Sequence, residues 1–304
     1  MVDGAQTGIR RERQRSRRSP RHAADAPTVD FSQSFEALGA VAYSGAEVSA
    51  KAVDLATGDE LLAIDAHVVM PIAGLGRVLL LAEVSTRLTA RDVSGYGILD
   101  RTPRDSVGGP GLWRHLQAPS LPVGDLAAIV AATADGLATN VLLERVGLES
   151  VRHRAEGLGM HRTVFLDSAR DHRGPDDAPD LAVGSTGELA ELFRRIALED
   201  VVDPASSQRL QHWLSLAGDL SLVSSAFGLD PLAHREADHE TLLINATGSG
   251  DGIRAEAGAL RGRARAVAYA VTARFDDTGL DARLRVIEAM RAVGTDLLEY
   301  VHTP

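Results

Sequence analysis

Hydrophobic and polar positions along this chain fall into blocks of helical or alternating period, and each block predicts an element. Phe31 to Ala40 suits a short helix. Glu47 to Asp54 and Glu60 to Asp65 flank the turn cluster Ala56-Thr57-Gly58-Asp59, which predicts a β-hairpin. After Pro71, a residue suited to helix starts, Leu75 to Arg87 is strongly apolar and predicts a buried helix. Arg101 to Pro122 carries Pro, Gly and Ser punctuation and reads as loop with short helical pieces. Val123 to Val146 and Leu148 to Gly157 are helical, split at Gly147.

Asp167 to Gly184 is polar, rich in aspartate and broken by prolines, and predicts an irregular surface loop. Ser185-Thr186-x-Glu188 has the form of a capping box opening the helix Leu189 to Leu198. Ser206 to Leu216 gives another helix. Thr241 to Asn245, Gly252 to Arg261 and Ala264 to Arg274 read as strands, and Leu280 to Val301 as a closing amphipathic helix. Strands at both chain ends must join one antiparallel sheet, with a helical block inserted between them. The expected division is a basic tail over 1–30, a sheet domain from 31–70 and 238–304, and a helical domain over 71–237.

Composition narrows this picture more than it extends it. A chain of 304 residues buries a large core, as one big domain or two intimately packed ones. No run approaches the ~18–20 apolar residues of a membrane span. Cysteine is absent, so neither disulfides nor thiolate zinc sites form. Residues 1–22 hold seven arginines against Asp3 and Glu12, a formal +5 in a chain of −10. No apolar segment follows them, so the expectation is a disordered tail on a cytoplasmic protein rather than a signal peptide. A solvated extension outranks contact with nucleic acid or an acidic surface.

Three strings carry chemical information. Met70-Pro71-Ile72-Ala73-Gly74-Leu75-Gly76-Arg77 opens the buried helix. Ala134-Asp135-Gly136 precedes Leu137-Ala138-Thr139-Asn140-Val141-Leu142-Leu143. Ile244-Asn245-Ala246-Thr247-Gly248-Ser249-Gly250 ends a strand. In this order, and in this context of elements, the chain from about Ala46 to Val301 resembles class A β-lactamases and the related serine transpeptidases.

The resemblance implies an α/β (α+β) fold with an inserted all-helical domain, and a chemistry built on Ser-x-x-Lys, Ser-Asp-Asn and Lys-Thr-Gly. On that alignment Gly74 stands at the nucleophile, Arg77 at the first lysine and Ala134 at the relay serine. Gly136 stands at the asparagine and Ala246 at the second lysine, while Asp135, Thr247 and Gly248 keep the family residue. No glutamate stands opposite the deacylating one; Asp167 and Asp171 are the loose substitutes. Glycine offers no atom to acylate, and arginine, with a pKa above 12, does not shuttle protons. Losing the nucleophile of such a set costs about 10⁶ in turnover. The expected function is a non-hydrolytic protein that binds a carboxylate, a β-lactam-like or peptide-like ligand, or a partner protein. The alternative is a weakly active β-lactamase or amide hydrolase using a non-standard nucleophile, and a third reading has the cleft filled by its own side chains.

Expected ligand contacts are the backbone N–H groups of Gly74 and Ser249, the side chains of Arg77 and Arg254, and Thr247. Arg77 also has a structural reading, as an ion pair with a carboxylate of the helical block. Ser249, Thr247 and Thr133 are hydroxyls without an evident base, since the only lysine, Lys51, lies on a first strand and is expected to face solvent. His234, Glu236, Asp238, His239 and Glu240 are dense in metal-ligand types, yet match no metal spacing and read as a solvated acidic loop. The remaining histidines are scattered. Gly248-Ser249-Gly250-Asp251-Gly252 precedes a strand rather than a helix, so no dinucleotide site, and no cofactor or metal, is expected. Oligomeric state stays open.

Overall fold

A computed structural model describes residue 1, residues 29–234 and residues 240–303. The arginine-rich stretch and Glu236, Asp238 and His239 of the acidic cluster lie outside the described residues. In chain order, α1 (Ser32–Tyr43), β1 (Glu47–Asp54), β2 (Glu60–Ile64) and β3 (Met70–Pro71) lead to a 3₁₀ turn (Ala73–Gly76) and α2 (Arg77–Ala90). Next come β4 (Ile98–Asp100), β5 (Ser120–Pro122), α3 (Val123–Thr133), α4 (Gly136–Val146) and α5 (Leu148–Gly157). After β6 (Val164–Phe165) and β7 (Ala182–Gly184) follow α6 (Thr186–Ala197) and α7 (Pro204–Leu214). The chain closes with β8 (Leu242–Gly250), β9 (Ile253–Arg261), β10 (Ala266–Arg274) and α8 (Leu280–His302).

The main sheet is antiparallel throughout, in the order β2-β1-β10-β9-β8. Its two faces differ in side-chain size. One is paved with Ala255, Ala257, Ala259, Ala268 and Ala270, all buried, and α6 lies against it. Small side chains there let the helix backbone come close. The other face carries Leu260, Val267, Tyr269 and Val271 and is covered by α8 and α1. On α8 the stripe Val286, Met290, Val293, Leu297 and Val301 follows helical spacing and is buried along its length. Each such side chain contributes roughly 1.5–3 kcal/mol on burial. Asp54 ties the layers: its carboxylate accepts the Ala56 and Thr57 N–H groups of the β1–β2 turn and the Tyr300 hydroxyl of α8.

Helix α2 runs through the centre of the helical block, flanked by α3, α4, α5 and α7. Nine successive residues, Arg77 to Ser85, are buried, the pattern of a helix enclosed on every side. Within it the Glu83 carboxylate is held by Arg87 Nε at 2.7 Å and Arg154 Nε at 2.9 Å.

Four local expectations need correction. The helix expected without a break from Val123 to Val146 is interrupted: Ala134 turns left-handed at φ 51°, and Asp135 then caps α4 through Ala138 N–H at 2.9 Å. Local side-chain capping there overrides helix propensity. The strand expected to stop at Asn245 continues to Gly250, because Gly248 is an approach point rather than a turn. The capping box is half formed: Ser185 Oγ accepts Glu188 N–H at 3.4 Å, whereas the Glu188 carboxylate faces the N–H groups of His161 and Arg162. Lys51 is not free in solvent but ion-paired with Glu60 across the β1–β2 hairpin. The two small sheets, β3-β7-β6 and β4-β5, have no counterpart in the sequence pattern; their strands are two or three residues long, too short to show a period.

Candidate functional site

Five segments meet at the β8 edge of the sheet: the 3₁₀ turn running into α2, the β4–β5 loop at Pro110, the α3–α4 junction, the loop after α7, and β8 itself. Gly74, Arg77, Ala134, Ala246, Thr247 and Ser249 line one cavity there, of about 470 Å³. The three strings singled out in the sequence, far apart along the chain, therefore converge on one place.

The turn carrying Gly74 is fixed by its neighbours. Ala73 is left-handed at φ 45°, and β8 passes so close that a Cβ on Gly248 would overlap the Ile72 carbonyl oxygen. Only glycine fits at residue 248, which explains its place in the strand. Gly74 is constrained differently. A Cβ there would overlap Nη1 of Arg77 and lie 3.4 Å from the Thr247 carbonyl oxygen. The guanidinium thus occupies the volume that a side chain at residue 74 would need.

Arg77 is buried and donates from Nε to Thr139 Oγ1 at 2.9 Å, while Thr139 Oγ1 donates to the Asp135 carbonyl at 2.6 Å. Among the described residues no carboxylate lies within ion-pair distance of it. Burial pulls its pKa down to about 10, opposed by the negative charge of Asp135, so it remains cationic at neutral pH.

Asp135 is committed to structure. Its Oδ2 accepts Leu112 and Trp113 N–H at 2.7 and 2.8 Å, and its Oδ1 accepts Ala138 N–H. Behind it, Gly136 has no room for a side chain, since a Cβ would come within 2.8 Å of Val107 Cγ1. Asp135, Gly136 and Gly248 shape the cavity from outside its lining. Arg254, across from Ser249 in the β8–β9 register, also lies outside it. Its Nη1 donates to the carbonyls of Gly250 and Ile253, and its guanidinium sits 5.9 Å from the Phe275 ring centre. Burial lowers its pKa, Arg283 adds to the effect, and Asp219 and Asp251 oppose it.

The chain matches a family model described as the β-lactamase enzyme family over residues 30–301. It belongs to the β-lactamase enzyme family. Among solved structures it is similar to a β-lactamase from Sphaerobacter thermophilus DSM 20745, with TM-score 0.78, 18% identity and coverage of 90% of this chain and 98% of that one. It is similar also to a single-site mutant of the class A β-lactamase of the last common ancestor of Gram-negative bacteria, with TM-score 0.74, 21% identity and coverages of 89% and 98%. A single-site mutant of PBP-A, in its acyl-enzyme complex with penicillin G, gives TM-score 0.74 at 16% identity, with coverages of 88% and 95%. At these identities the likeness is one of fold. No curated protein sequence matches the chain.

Within this β-lactamase fold, the aspartates considered for deacylation are engaged elsewhere. Burial tends to raise the Asp167 pKa, but hydrogen bonds from Arg170, Ser168 and Arg173 prevail and bring it down to about 2. Asp171 accepts Gly108 N–H at 2.7 Å. Asn140 clamps the same loop, accepting Ala169 N–H at 2.8 Å and donating to the Ala169 carbonyl at 3.0 Å. Neither aspartate lines the cavity. Thr133 is exposed and donates back to Ile129, and His234 is buried with Nδ1 against the Asp230 carbonyl.

Two acidic residues, one lining the cavity and one buried beside it, escaped sequence reasoning. Asp219 lines the cavity and accepts the Thr247 hydroxyl at 2.8 Å, with Ser221 N–H and Oγ on its other oxygen. Nothing in the stretch Ala217-Gly218-Asp219 marks it as more than a loop. Glu256 sits directly across from Thr247 in the β8–β9 register, fully buried, accepting the Tyr269 hydroxyl at 2.7 Å and Asn245 Nδ2 at 3.1 Å. Burial pushes its pKa up to about 7 against those hydrogen bonds. A signal existed here: one carboxylate among the apolar residues of a central strand.

Proposed function

We propose that this chain is a non-acylating member of the β-lactamase family, whose cavity binds a carboxylate- or peptide-like ligand without turning it over. The relation between Gly74 and Arg77 carries the proposal: the alignment puts the nucleophile at a residue with no side chain, and an arginine fills the space above it. A guanidinium keeps its proton in any ordinary environment, so it neither deprotonates a hydroxyl nor relays a proton. It does present a fixed positive fork, suited to a planar carboxylate.

The deciding experiment incubates the protein with a chromogenic cephalosporin and a fluorescent penicillin, followed by intact-mass measurement. The expected result is saturable binding with no turnover and no covalent adduct. Turnover above a heat-killed control, or a stable acyl adduct, overturns the proposal.

A second reading, a weakly active amide hydrolase with a non-standard nucleophile, is supported by the Thr247–Asp219 hydrogen bond, a hydroxyl held on a carboxylate inside the cavity. It requires the same assay to show turnover that Thr247→Val abolishes.

A further inference from the structure

The cavity has two charged poles that do not pair with each other. Arg77 lies in the wall formed by α2, and among the described residues only its Nε–H is engaged, on Thr139. A guanidinium has five N–H donors, so the fork of its two terminal nitrogens is left for a planar anion. Asp219 stands in the loop after α7, with three donors on its two oxygens, and a carboxylate offers about four acceptor directions. Among the described residues no ion pair joins Arg77 to Asp219, and the charge that Asp219 relieves is that of Arg254, outside the cavity. Between them, Val78, Leu81, Val130 and Leu214 give the wall an apolar stretch, while the hydroxyl residues Thr133, Thr247 and Ser249 also line the cavity.

A ligand bearing only a carboxylate satisfies Arg77 but brings its charge into the field of Asp219 in a site partly shielded from water. A ligand bearing only an ammonium has the opposite defect. From this we infer, building on the ligand-binding function proposed above, that the cavity takes a small zwitterion: an amino acid or short peptide with its carboxylate on Arg77, its ammonium on Asp219 and an apolar side chain on the wall between. The volume of about 470 Å³ falls in the usual range for small-molecule sites.

Calorimetric titration of the full chain tests this with leucine and alanylleucine in both enantiomeric series, together with N-acetyl-alanylleucine and alanylleucine amide. The free zwitterions should bind, and acetylation or amidation should each weaken binding at least about tenfold. Asp219→Asn should erase the difference between free and acetylated peptide. Arg77→Gln, with Arg77→Lys as the milder variant, should erase the difference between acid and amide. Equal affinity for the free and acetylated forms overturns the zwitterion assignment while leaving a carboxylate-binding cleft in place. Failure of every probe to bind overturns both, and an effect of Asp219→Asn on all probes alike makes that residue structural and removes the ammonium pole.

Discussion

The guanidinium of Arg77 and a side chain at residue 74 compete for one volume, since a Cβ on Gly74 would overlap Nη1. The two positions are therefore coupled, and a side chain at residue 74 fits without rearrangement only if the guanidinium gives way. Gly74→Ser should destabilise the fold by about 1–3 kcal/mol through overpacking. Arg77→Lys in the same chain should return most of that loss. Denaturant melts of the two single variants and the double variant measure the coupling, expected to exceed about 0.5 kcal/mol. Additive effects would mean that Arg77 moves aside without cost.

Restoring chemistry demands more than this pair. The variant Gly74→Ser, Arg77→Lys, Ala134→Ser, Gly136→Asn and Ala246→Lys should gain a penicillin adduct detectable by intact mass. Gly136→Asn is its weakest element, because Val107 and Ala169 already fill that space. Complete silence from a folded five-fold variant would count against the alignment that assigns these positions.

Gly248→Ala sets backbone against backbone. The added methyl meets the Ile72 carbonyl, which has no rotamer to change, so the expected loss is about 2–4 kcal/mol with an unchanged denaturant m-value. An unchanged midpoint would refute the close packing of β8 on the turn.

Asp135→Asn keeps the shape but replaces a carboxylate accepting three N–H groups with one carbonyl oxygen. The expected cost is about 2–3 kcal/mol, and hydrogen exchange should quicken at the amides of Leu112, Trp113 and Ala138.

Glu256 gives a pH dependence with a definite sign. Its folded pKa of about 7 stands above the ordinary glutamate value of 4.5, so the folded state holds the proton more tightly. Folding is favoured by this group below the unfolded value and loses that contribution as pH rises from about 4.5 to 7. Asp167 works oppositely: lowered to about 2 from 3.8, it stabilises above its unfolded value and fails as pH falls through that range. Thermal melts from about pH 4.5 to about 7.5 should show a decline in stability that Glu256→Gln removes. The same slope in the variant would assign it to other groups.

Much of the architecture was legible because it rests on long periodic segments. The buried run after Pro71, the terminal amphipathic helix and the strands at both ends show their periods over many residues. The α3–α4 break was hidden, since the side chain of Asp135 imposes it against the propensity of the apolar residues on either side. At the site, Gly74, Arg77, Ala134, Ala246, Thr247 and Ser249 could be found because recognisable strings carry them. Asp219 could not: its role comes only from a tertiary hydrogen bond to a strand it does not adjoin in sequence. Arg254 reads from sequence as a ligand contact; the structure places it outside the cavity lining, with Nη1 donating to the carbonyls of Gly250 and Ile253.

The pairing of β1 with β10 carries a cost in time. Glu47 meets Arg274 across the sheet, so β1, once made, waits for the much later β10 before its inner edge is covered. Closing so large a loop is slow, and the β1–β2 hairpin stays an open template for other chains meanwhile. Expression at low temperature or with chaperones should raise the yield of this protein more than it would for a helical bundle of equal length.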